Sequence, residues 1–400
     1  MSVAKLCEAI GGLEVRGLGV EKFRDIEIEV FTTTANGKTE LAVVPGEGQT
    51  VDGIRVTYFK RLTKDHTHFS PALLLGLRKE ILRSKKKPPS TLPNSRDKHP
   101  RGEHTLVIHI HAWWNLVSIL SCWVAKWYNV PVVLSPRGML TEYTLSNRNV
   151  GFKSIIHSLI GKSLLRYCHI HATSEKEKED VLKFIKPKSI TVIPNLVSLD
   201  QQSSNLTIKQ FSQQLSNSTT QQALFNLIFL SRIEKKKGLE LLFEALAKFD
   251  VDWSLTIAGS GEEEYVEGLV VRIEGLGISD RINWVGQVKN EDKFKLLAEH
   301  DLMVLTSYNE NFANVVIEGL SVGTPVLLSK EVGLADYVVE KNLGWITALS
   351  TDSIKEKLNE AYLDIATRQK VRVQAPQIIE SDFNDVALVK RYIKLYEQVI

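Results

Sequence analysis

Hydrophobic positions along the chain follow two alternating patterns: short runs of β-branched and aromatic residues, and longer stretches with helical spacing. Such alternation is typical of βαβ units that build parallel sheets. In the first half, the pattern predicts strands at Ile26–Thr33, Ile54–Phe59, Thr105–His111, Val130–Ser135, His169–Thr173 and Ser189–Pro194. We therefore expect an α/β protein.

A second series of strands begins after residue 222. Its predicted strands are Phe225–Ser231, Trp253–Gly259, Ile282–Gly286, Asp301–Ser307 and Pro325–Ser329. Helices are predicted between them at Gly238–Phe249, Glu263–Leu276, Asn290–His300 and Val315–Val322. We expect two doubly wound domains in tandem, with ligands bound beyond the carboxyl ends of the strands.

Composition suggests where the domains begin and end. Residues 198–222 are rich in Ser and Gln and poor in large apolar residues, which predicts a linker or surface insertion. We assign residues 1–195 to a first domain, 196–222 to the linker and 223–380 to a second domain. A C-terminal helix over residues 381–400 could pack back on the first domain.

Charge is distributed unevenly between the halves. The part up to Asn195 holds 29 basic and 18 acidic residues and the rest holds 21 and 29, so their net charges are +11 and −8. This asymmetry predicts an anionic partner for the first domain: a membrane surface, a phosphorylated substrate or nucleic acid. The densest basic segment, Arg78–Gly102, is predicted to be a flexible loop, which either meets that partner or is simply solvated.

Three features bear on the location of the protein. Cys7, Cys122 and Cys168 have neither disulfide-framework nor zinc-site spacing. The most apolar long segment, Leu116–Leu134, is interrupted by polar residues and a proline, which favours a buried helix and a strand over a membrane span. The N terminus lacks the apolar region of a signal peptide. We expect a cytoplasmic protein whose contact with a membrane, if any, is peripheral.

Two segments that follow predicted strands could bind a ligand. Arg232 and Lys237 lie near a helix start at Gly238, which predicts a diphosphate site, although a solvated basic run is the alternative. After the next strand, Gly259 and Gly261, with Ser260 between them, form either a turn that lets backbone approach a ligand or a purely structural turn. The second segment matches neither a Walker loop nor the GxGxxG fingerprint.

Two glutamates stand out near the next strand end, in the segment "ENFANVVIEGLSVGTPVL". Glu310 precedes a predicted helix, where a carboxylate is ordinarily a stabilising cap. Glu318 lies within that otherwise apolar helix, and burying it without partners is costly. We therefore expect a polar group, such as a sugar hydroxyl, to meet Glu318.

These glutamates resemble the E-x7-E motif of family 4 glycosyltransferases, enzymes of the GT-B fold with two Rossmann-like domains that face a cleft. The segments "LSRIEKKKGLELLFEAL", "LTIAGSGEEEY", "DRINWVG" and "HDLMVLTSYNENF" resemble successive blocks of the family's donor domain. "HIHATSEKE" and "VIPN" resemble the end of its acceptor domain, and the resemblance runs from about Thr105 to the C terminus. "IHIHAWW" and "VLSPRGML" resemble members that build bacterial exopolysaccharide, capsule or lipopolysaccharide.

The resemblance implies a role for each candidate. Arg232 and Lys237 would hold the donor's diphosphate, so that neither a divalent metal nor another cofactor is required. Glu318 would accept hydrogen bonds from the ribose, and Glu310 would position the transferred sugar. The remaining donor-binding candidates are the amides of Asn311, Phe312, Ala313 and Asn314, the turn at Gly259 and Ser260, and the backbone from Val285 to Val288 beside the base. The family retains anomeric configuration and needs no separate protein nucleophile.

The sequence departs from the family in three places. Family members usually open with a strand and a glycine-rich loop, whereas "MSVAKLCEAI" is helix-like, so the first strand of the N-terminal domain is expected to be missing. A late start codon, another segment in its place, or an impaired protein would each account for this. Ala313 replaces a frequent glycine and is tolerable if its φ is negative. No histidine follows strand Val130–Ser135, so His111 and Arg137 become the acceptor-side candidates, with a structural role as the alternative for the histidine.

Three functions are consistent with the sequence. The first is a retaining glycosyltransferase that moves a sugar from a nucleotide-diphosphate sugar to a lipid-linked or growing glycan, with the basic domain near an anionic membrane. The second is a catalytically impaired GT-B protein that binds a nucleotide sugar in a regulatory or scaffolding role. Nucleic-acid binding has the least support, because no basic surface interleaved with aromatic residues is present.

Overall fold

The computed structural model describes residue 6 and residues 27–36, 39–63, 68–86, 106–141, 161–199 and 224–400. The chain divides into two compact units, one formed by Met1–Leu196 with Asp385–Ile400 and the other by Val197–Asn384. Most of the predicted linker and nearly all of the segment expected to lack a first strand fall outside the described residues.

Parallel pairing dominates the first unit. Its described strands are β1 (Glu29–Thr33), β2 (Ala35–Asn36), β3 (Thr39–Glu40), β4 (Gly48–Val51), β5 (Ile54–Phe59), β6 (Ile108–His111), β7 (Val132–Ser135), β8 (His169–Ala172) and β9 (Ser189–Val192). Strands β6 to β9 form a four-stranded parallel sheet in sequence order. Strand β5 lies between β1, to which it is parallel, and β4, with which it forms a hairpin. All six predicted strands are confirmed, and β2, β3 and β4 were not predicted.

The helices with described bounds that precede the second unit are α1 (Pro71–Lys86), α2 (Leu116–Trp127), α3 (Lys162–Tyr167) and α4 (Glu175–Phe184). The prediction of a flexible loop over Arg78–Gly102 is wrong for its first nine residues, which are helical. The basic composition of that stretch hid an amphipathic pattern in which Leu73 and Ile81 are buried. Residues 87–102 lie outside the described part of the chain.

Helices α2 and α4 each begin at a side-chain cap. The Asn115 side chain accepts a hydrogen bond from the amide of Ser118 at 2.7 Å, and Ser174 accepts one from Glu177 at 3.1 Å. Such caps satisfy amides that have no partner inside a helix. They also fix the point at which the chain turns away from the strand ends.

A six-stranded parallel sheet forms the second unit. Its strands are β10 (Phe225–Leu230), β11 (Trp253–Ala258), β12 (Ile282–Gly286), β13 (Leu302–Leu305), β14 (Val326–Ser329) and β15 (Gly344–Thr347), in the spatial order β12-β11-β10-β13-β14-β15. The five predicted strands are confirmed, and β15 is additional. Every residue of β13 and β14 is buried, as expected for central parallel strands covered by helices on both faces.

The helices of the second unit also follow the predicted pattern. They are α5 (Leu239–Ala247), α6 (Glu263–Gly275), α7 (Asn290–Ala298), α8 (Asn314–Ser321), α9 (Ala335–Lys341), α10 (Thr351–Leu363) and α11 (Ile365–Asp382). A short 3-10 turn at Lys235–Lys237 precedes α5. Because all six strands are parallel, the loops that enter α5 to α8 lie at one edge of the sheet.

The last helix, α12 (Asp385–Val399), belongs to the first unit. Its Val389 and Tyr392 are buried in a cluster that also contains Val133 of β7 and Ile193 after β9. Arg391 donates a hydrogen bond to the carbonyl of Val192 at 2.7 Å. The end of the chain is therefore part of the core of the unit in which the chain begins.

Candidate functional site

Charged residues meet where the central strands of the second unit end. Lys237 follows β10, and Glu310 follows β13, the neighbouring strand. Their side chains form an ion pair between Nζ of Lys237 and Oε2 of Glu310. Burial lowers the pKa of the Lys237 ammonium below its usual range, and the Glu310 carboxylate opposes this shift. The structure thus brings together two predicted site residues that are 73 positions apart.

Backbone hydrogen bonds also join the Glu310 loop to the loop that follows β14. The amide of Glu310 donates to the carbonyl of Glu331 at 3.2 Å, and its carbonyl accepts from the amide of Gly333 at 2.8 Å. The amide of Tyr308 donates to the carbonyl of Lys236 at 2.8 Å, which joins the loop to the turn after β10. Backbone hydrogen bonds on both sides therefore hold the Glu310 side chain in place.

Glu318 has a protein partner that the sequence did not suggest. Nζ of Lys293, on α7, donates to Oε1 of Glu318 at 2.7 Å, and both side chains are buried. The polar group expected beside Glu318 is therefore present within the protein, as the ammonium of Lys293. Lys293 was missed because "NEDKFKLLAEH" reads as a solvated charged helix, and only the packing of α7 beside α8 buries this lysine.

Arg232 is more exposed than the other predicted anion ligands. Its side chain is 69% exposed and forms an ion pair with Glu234 at 2.5 Å. Glu234 also lies 3.6 Å from Nζ of Lys236. The turn after β10 therefore combines a buried lysine with an exposed arginine whose charge is partly neutralised.

Two glycines pack backbone against backbone at this edge. Gly238 has φ +69°, and a Cβ there would lie 2.2 Å from the carbonyl oxygen of Thr306. A Cβ on Gly259, which has φ +150°, would lie 1.9 Å from the carbonyl oxygen of Ser231. Ser260 accepts a backbone hydrogen bond from Ile233 at 2.8 Å. Both glycines are thus required by the packing of neighbouring loops, which gives the Gly259 turn a structural function of its own.

The loop between the two glutamates has an unusual backbone. Ala313 has φ +62° and ψ +75°, so the condition of a negative φ under which alanine would be tolerable is not met. The left-handed region costs a residue with a Cβ about 1 kcal/mol or more. Ala313 immediately precedes α8, which has no side-chain cap.

The side chains of the other donor-binding candidates differ in how far they are exposed to solvent. Phe312 is buried, and its ring packs edge-on against Phe383, so its side chain belongs to the core. Asn311 and Asn314 are half-buried. Val285 is exposed on the edge strand β12, and Val288 is half-buried in the loop that follows. These two valines lie at the same sheet edge as the charged pairs but at its outermost strand.

In the first unit, the structure brings His111 and Arg137 together. Nη2 of Arg137 lies 3.4 Å from Nδ1 of His111, and Nη1 donates to Oδ1 of Asn195. Burial and the adjacent guanidinium lower the pKa of His111 to about 3. Arg137 itself is in the left-handed region at φ +55°. Both acceptor-side candidates therefore lie at the carboxyl ends of β6 and β7.

Behind this pair lies a buried polar chain that the sequence analysis missed. His109 bonds to Tyr396 at 2.7 Å and to Ser135 at 2.7 Å, and Ser135 bonds to His171 at 2.6 Å. His171 also lies 3.2 Å from the hydroxyl of Tyr392. The alternation in "IHIH" and "HIHA" signals inward-facing histidines, but their partners on α12 are more than 200 residues away.

A buried glutamate fixes the loop that carries Arg137. Oε1 of Glu177 accepts from the amide of Gly138 at 2.7 Å, and Oε2 accepts from the amide of Thr173 at 2.7 Å. Glu177 is in the first turn of α4, where a carboxylate is favourable. The signal for it was the capping sequence "SEKE", in which Ser174 and Glu177 have capping-box spacing.

The described residues contain no group of three His, Cys, Asp or Glu side chains that could hold a metal ion. Within the same residues, no helix is long and apolar enough to cross a membrane.

Two family descriptions match the sequence. The family described as "Glycosyl transferases group 1" matches residues 212–377. The family described as "Glycosyltransferase Family 4" matches residues 21–201. The two matches follow one another along the chain, and each lies mostly within one of the two compact units.

Curated relatives are similar over part of their length. An uncharacterized glycosyltransferase of Methanocaldococcus jannaschii is 25% identical over 248 residues, which cover 60% of this chain and 63% of that protein. The lipopolysaccharide core biosynthesis glycosyltransferase LpsE of Rhizobium meliloti is 24% identical over 167 residues, or 42% of this chain and 48% of the relative. The similarity thus spans less than two thirds of either relative.

The fold is similar to that of solved structures over a greater length. HepE of Anabaena, solved in complex with UDP-glucose, aligns with a TM-score of 0.64 and 17% identity, covering 92% of this chain and 99% of HepE. At this identity the likeness concerns the fold alone. The predicted GT-B architecture, with a Rossmann-like α/β domain in each half, is confirmed. The two consecutive family matches, together with this fold, show that the chain belongs to the group 1, family 4 glycosyltransferases.

Proposed function

We propose that the protein is a retaining glycosyltransferase that moves a sugar from a nucleotide-diphosphate sugar to a lipid-linked or growing glycan acceptor. The observation that carries this proposal is two Lys–Glu ion pairs at one sheet edge: Lys237–Glu310, in which the glutamate is half-buried, and the buried Lys293–Glu318. Each pair leaves groups that a nucleotide sugar can use: ammonium protons for phosphate oxygens, and carboxylate oxygens for hydroxyl groups.

The donor binds, in this proposal, along the carboxyl edge of the second sheet. Arg232 and Lys237 contact the diphosphate, and their positive charge stabilises the nucleotide as it leaves. Oε1 of Glu318 is held by Lys293, so Oε2 is oriented toward the ribose hydroxyls. Backbone at the turn of Gly259 and Ser260 lies against the diphosphate side of the nucleotide.

Glu310 and the start of α8 position the transferred sugar. The amides of Asn311, Phe312, Ala313 and Asn314 supply donors to its hydroxyls, and the Glu310 carboxylate accepts from them. The base lies against the backbone from Val285 to Val288 on the outermost strand. HepE, whose structure was solved with UDP-glucose, supports a nucleotide sugar as the donor class.

Transfer takes place on one face of the sugar. The bond from the anomeric carbon to the diphosphate oxygen breaks, and the acceptor oxygen bonds to the same face of that carbon. The departing diphosphate oxygen takes the acceptor proton, so no protein nucleophile is needed. Lys237 and Arg232 stabilise the negative charge on the leaving group, and the reaction proceeds without a divalent metal or other cofactor.

The acceptor contacts the first unit at His111 and Arg137. The hydrogen-bond partners of the Arg137 guanidinium within the described residues, Asn195, His111 and Tyr392, are neutral at pH 7, so its charge is available to an acceptor phosphate. The neutral imidazole of His111 can accept a hydrogen bond from a hydroxyl of the acceptor. The net charge of +11 up to Asn195 fits an acceptor with a pyrophosphate on an anionic membrane.

We place the reaction in surface polysaccharide biosynthesis at the cytoplasmic face of a membrane. The similarity to LpsE, named for lipopolysaccharide core biosynthesis, supports this pathway class. Nucleic acid is not expected to be a partner.

A donor panel tests the proposed reaction. Purified protein is incubated with UDP-, GDP-, ADP- and dTDP-sugars in EDTA, and release of nucleoside diphosphate is measured with and without a membrane lipid extract. We expect release from one donor class, undiminished by EDTA, and an unchanged anomeric configuration in the product by NMR. An inverted product or loss of turnover in EDTA would overturn the corresponding part of the proposal.

A second function is favoured by the strained backbone at Ala313. A methyl group in a left-handed turn where the sugar should lie could leave a protein that binds the nucleotide sugar without transferring the sugar. Ala313→Gly separates the two functions. If the protein is an impaired enzyme, glycine raises turnover from near zero, whereas an active parent shows at most a modest change in the donor KM.

A further inference from the structure

Helix α2 has an exposed face that is apolar. Trp123 and Trp127, one turn apart, are 47% and 71% exposed, and their rings lie 5.6 Å apart. Leu116 and Leu120 continue the same stripe at helical spacing and are half-buried. A helix on a solvated surface normally presents polar residues outward. Here the indoles, among the largest apolar side chains, point outward.

The opposite face of α2 contains polar groups. Ser118 and Ser121 are buried, together with Cys122. The helix is therefore not apolar on every side. A lack of space in the core does not explain why its tryptophans are exposed, because polar serines are buried instead. Apart from Ile119, the buried side chains of this helix are small, whereas its two tryptophans are exposed, which indicates that the outer face has a partner.

Basic helices flank the tryptophans on both sides. On one side, Arg78 and Lys85 of α1 donate to the hydroxyl and carbonyl of Tyr128 at 2.8 and 2.7 Å. On the other side, Lys126 donates to the hydroxyl of Ser163 on α3 at 2.7 Å. Helices α1, α2 and α3 together contain eight Lys and Arg residues and one acidic residue, Glu80. Their combined charge is +7.

We propose that these three helices form a docking surface for an anionic lipid bilayer, with Trp123 and Trp127 inserted at the level of the lipid headgroups. We call it the tryptophan face: the two indoles and the exposed bases Arg78, Lys79, Arg83, Lys85, Lys86, Lys162 and Arg166. Indole rings prefer the membrane–water interface, where an apolar body meets a polar layer. Surrounding lysines and arginines strengthen such binding by attraction to anionic headgroups.

The charge decides between a bilayer and a second copy of the chain. Two tryptophan faces packed together would bring two surfaces of charge +7 into contact, and the like charges would repel. An anionic bilayer neutralises those charges while it takes up the indoles. This inference deepens the proposed function, on which it rests, because it identifies the surface by which the enzyme reaches a lipid-linked acceptor.

Vesicle binding by the full chain tests the proposal. Sedimentation with vesicles of neutral phosphatidylcholine, and with vesicles containing about one third phosphatidylglycerol, measures the partition coefficient. We expect binding to the anionic vesicles only, and quenching of tryptophan fluorescence by brominated acyl chains. Trp123→Ser/Trp127→Ser should lower the partition coefficient at least about tenfold, because it removes the inserted apolar area.

Charge is tested separately. Lys79→Gln/Lys162→Gln/Arg166→Gln removes three exposed charges and should lower the partition coefficient by about fivefold for each charge and weaken its salt dependence. The matched controls lie in the second unit. Val271→Ser/Leu363→Ser removes two exposed apolar side chains, and Lys248→Gln/Lys295→Gln/Lys370→Gln removes three exposed charges. Neither control should change vesicle binding.

Three results would overturn the proposal: no binding of the parent to anionic vesicles, equal binding by the tryptophan variant, or a parent dimer that dissociates in that variant. The last result, measured by light scattering, would assign the face to a second copy. Release of nucleoside diphosphate from a donor in detergent does not need a bilayer. Vesicle binding without donor turnover would therefore overturn the proposed reaction and still support the docking surface.

Discussion

Lys293 and Glu318 form a buried ion pair between adjacent helices, with 2.7 Å between Nζ and Oε1. The pair is 25 residues apart in sequence and joins α7 to α8. A glutamate buried alone would be costly, and a lysine is the partner that the fold supplies. The carboxylate proposed to bind the ribose is thus oriented before any ligand arrives.

Removing Lys293 should therefore affect both folding and binding. We expect Lys293→Met to lower the free energy of unfolding by about 3 kcal/mol, because it leaves the Glu318 carboxylate buried and unpaired. Urea unfolding measures this loss. Lys293→Met/Glu318→Gln should recover part of it, since the uncompensated charge is gone. The control Lys295→Met, on the exposed side of the same helix, should change stability by less than about 0.5 kcal/mol. Equal losses at positions 293 and 295 would contradict the pair's importance.

The two glutamates should differ in their kinetic effects. Glu318→Ala should raise the donor KM and the Kd for the nucleoside diphosphate, because it removes a contact made equally in ground and transition states. Glu310→Ala should mainly lower kcat, by about 100-fold, because it loosens the position of the transferred sugar. Steady-state kinetics and nucleotide titration separate these effects. Glu267→Ala, an exposed carboxylate on α6, is the control. Indistinguishable effects of the two substitutions would refute the assigned roles.

Gly238 should be intolerant of a side chain for a reason that Gly277 does not share. The two glycines have nearly the same φ, +69° and +68°, but only at Gly238 would a Cβ meet backbone, at 2.2 Å from the oxygen of Thr306. Gly277→Ala should cost about 1 kcal/mol, the strain of the left-handed region alone. Gly238→Ala should cost at least about 2 kcal/mol more, and it should weaken nucleotide binding by displacing the adjacent Lys237. Thermal unfolding of both variants gives the comparison. Equal losses would mean that the loops can separate freely.

The buried histidines should make the protein sensitive to acid. Burial and the neighbouring Arg137 hold the pKa of His111 and of His171 at about 3, and burial also lowers that of His109. The unfolded chain, with histidine pKa values near 6.5, binds more protons below that pH than the folded chain does. The free energy of unfolding therefore falls as pH decreases from about 6.5 toward 3, by about 1.4 kcal/mol per pH unit for each histidine.

Urea unfolding at pH 7.5, 6 and 5 measures that slope. His171→Gln keeps a polar side chain next to Ser135 but cannot take up a proton, so it should flatten the slope by about 1.4 kcal/mol per pH unit below pH 6. If the variant and the parent have parallel slopes, His171 does not contribute to the acid sensitivity.

Much of the fold could be predicted from the sequence. The strands at Phe225–Leu230 and Val326–Ser329 are continuous apolar runs, and in Leu239–Ala247 the helical spacing marks the buried face. These signals are local: side-chain direction repeats every two residues in a strand and every 3.6 in a helix. The basic segment at Arg78–Lys86 was wrongly predicted to be a loop, because its charges surround its one buried position, Ile81.

The candidate site was predictable only in part. Strand ends identified Lys237 and Glu310, since parallel strands place their following loops at one edge. Their ion pair, and the pairing of Glu318 with Lys293, depend on which strands and helices become neighbours. Nothing in the local pattern distinguishes Lys293, which is buried, from Lys295, which is exposed. Only the packing of α7 against α8 makes the difference.

The sequence by itself thus determined the secondary structure, the α/β class, the family and the segments that end at the sheet edges, because each of these is encoded by neighbouring residues. Tertiary structure alone decided which distant charges meet, that Ala313 is left-handed, that His109 and His171 bond to tyrosines of the last helix, and that Trp123 and Trp127 face outward. The physical reason is that burial and pairing are properties of packed surfaces, and those surfaces exist only after segments far apart in the chain have come together.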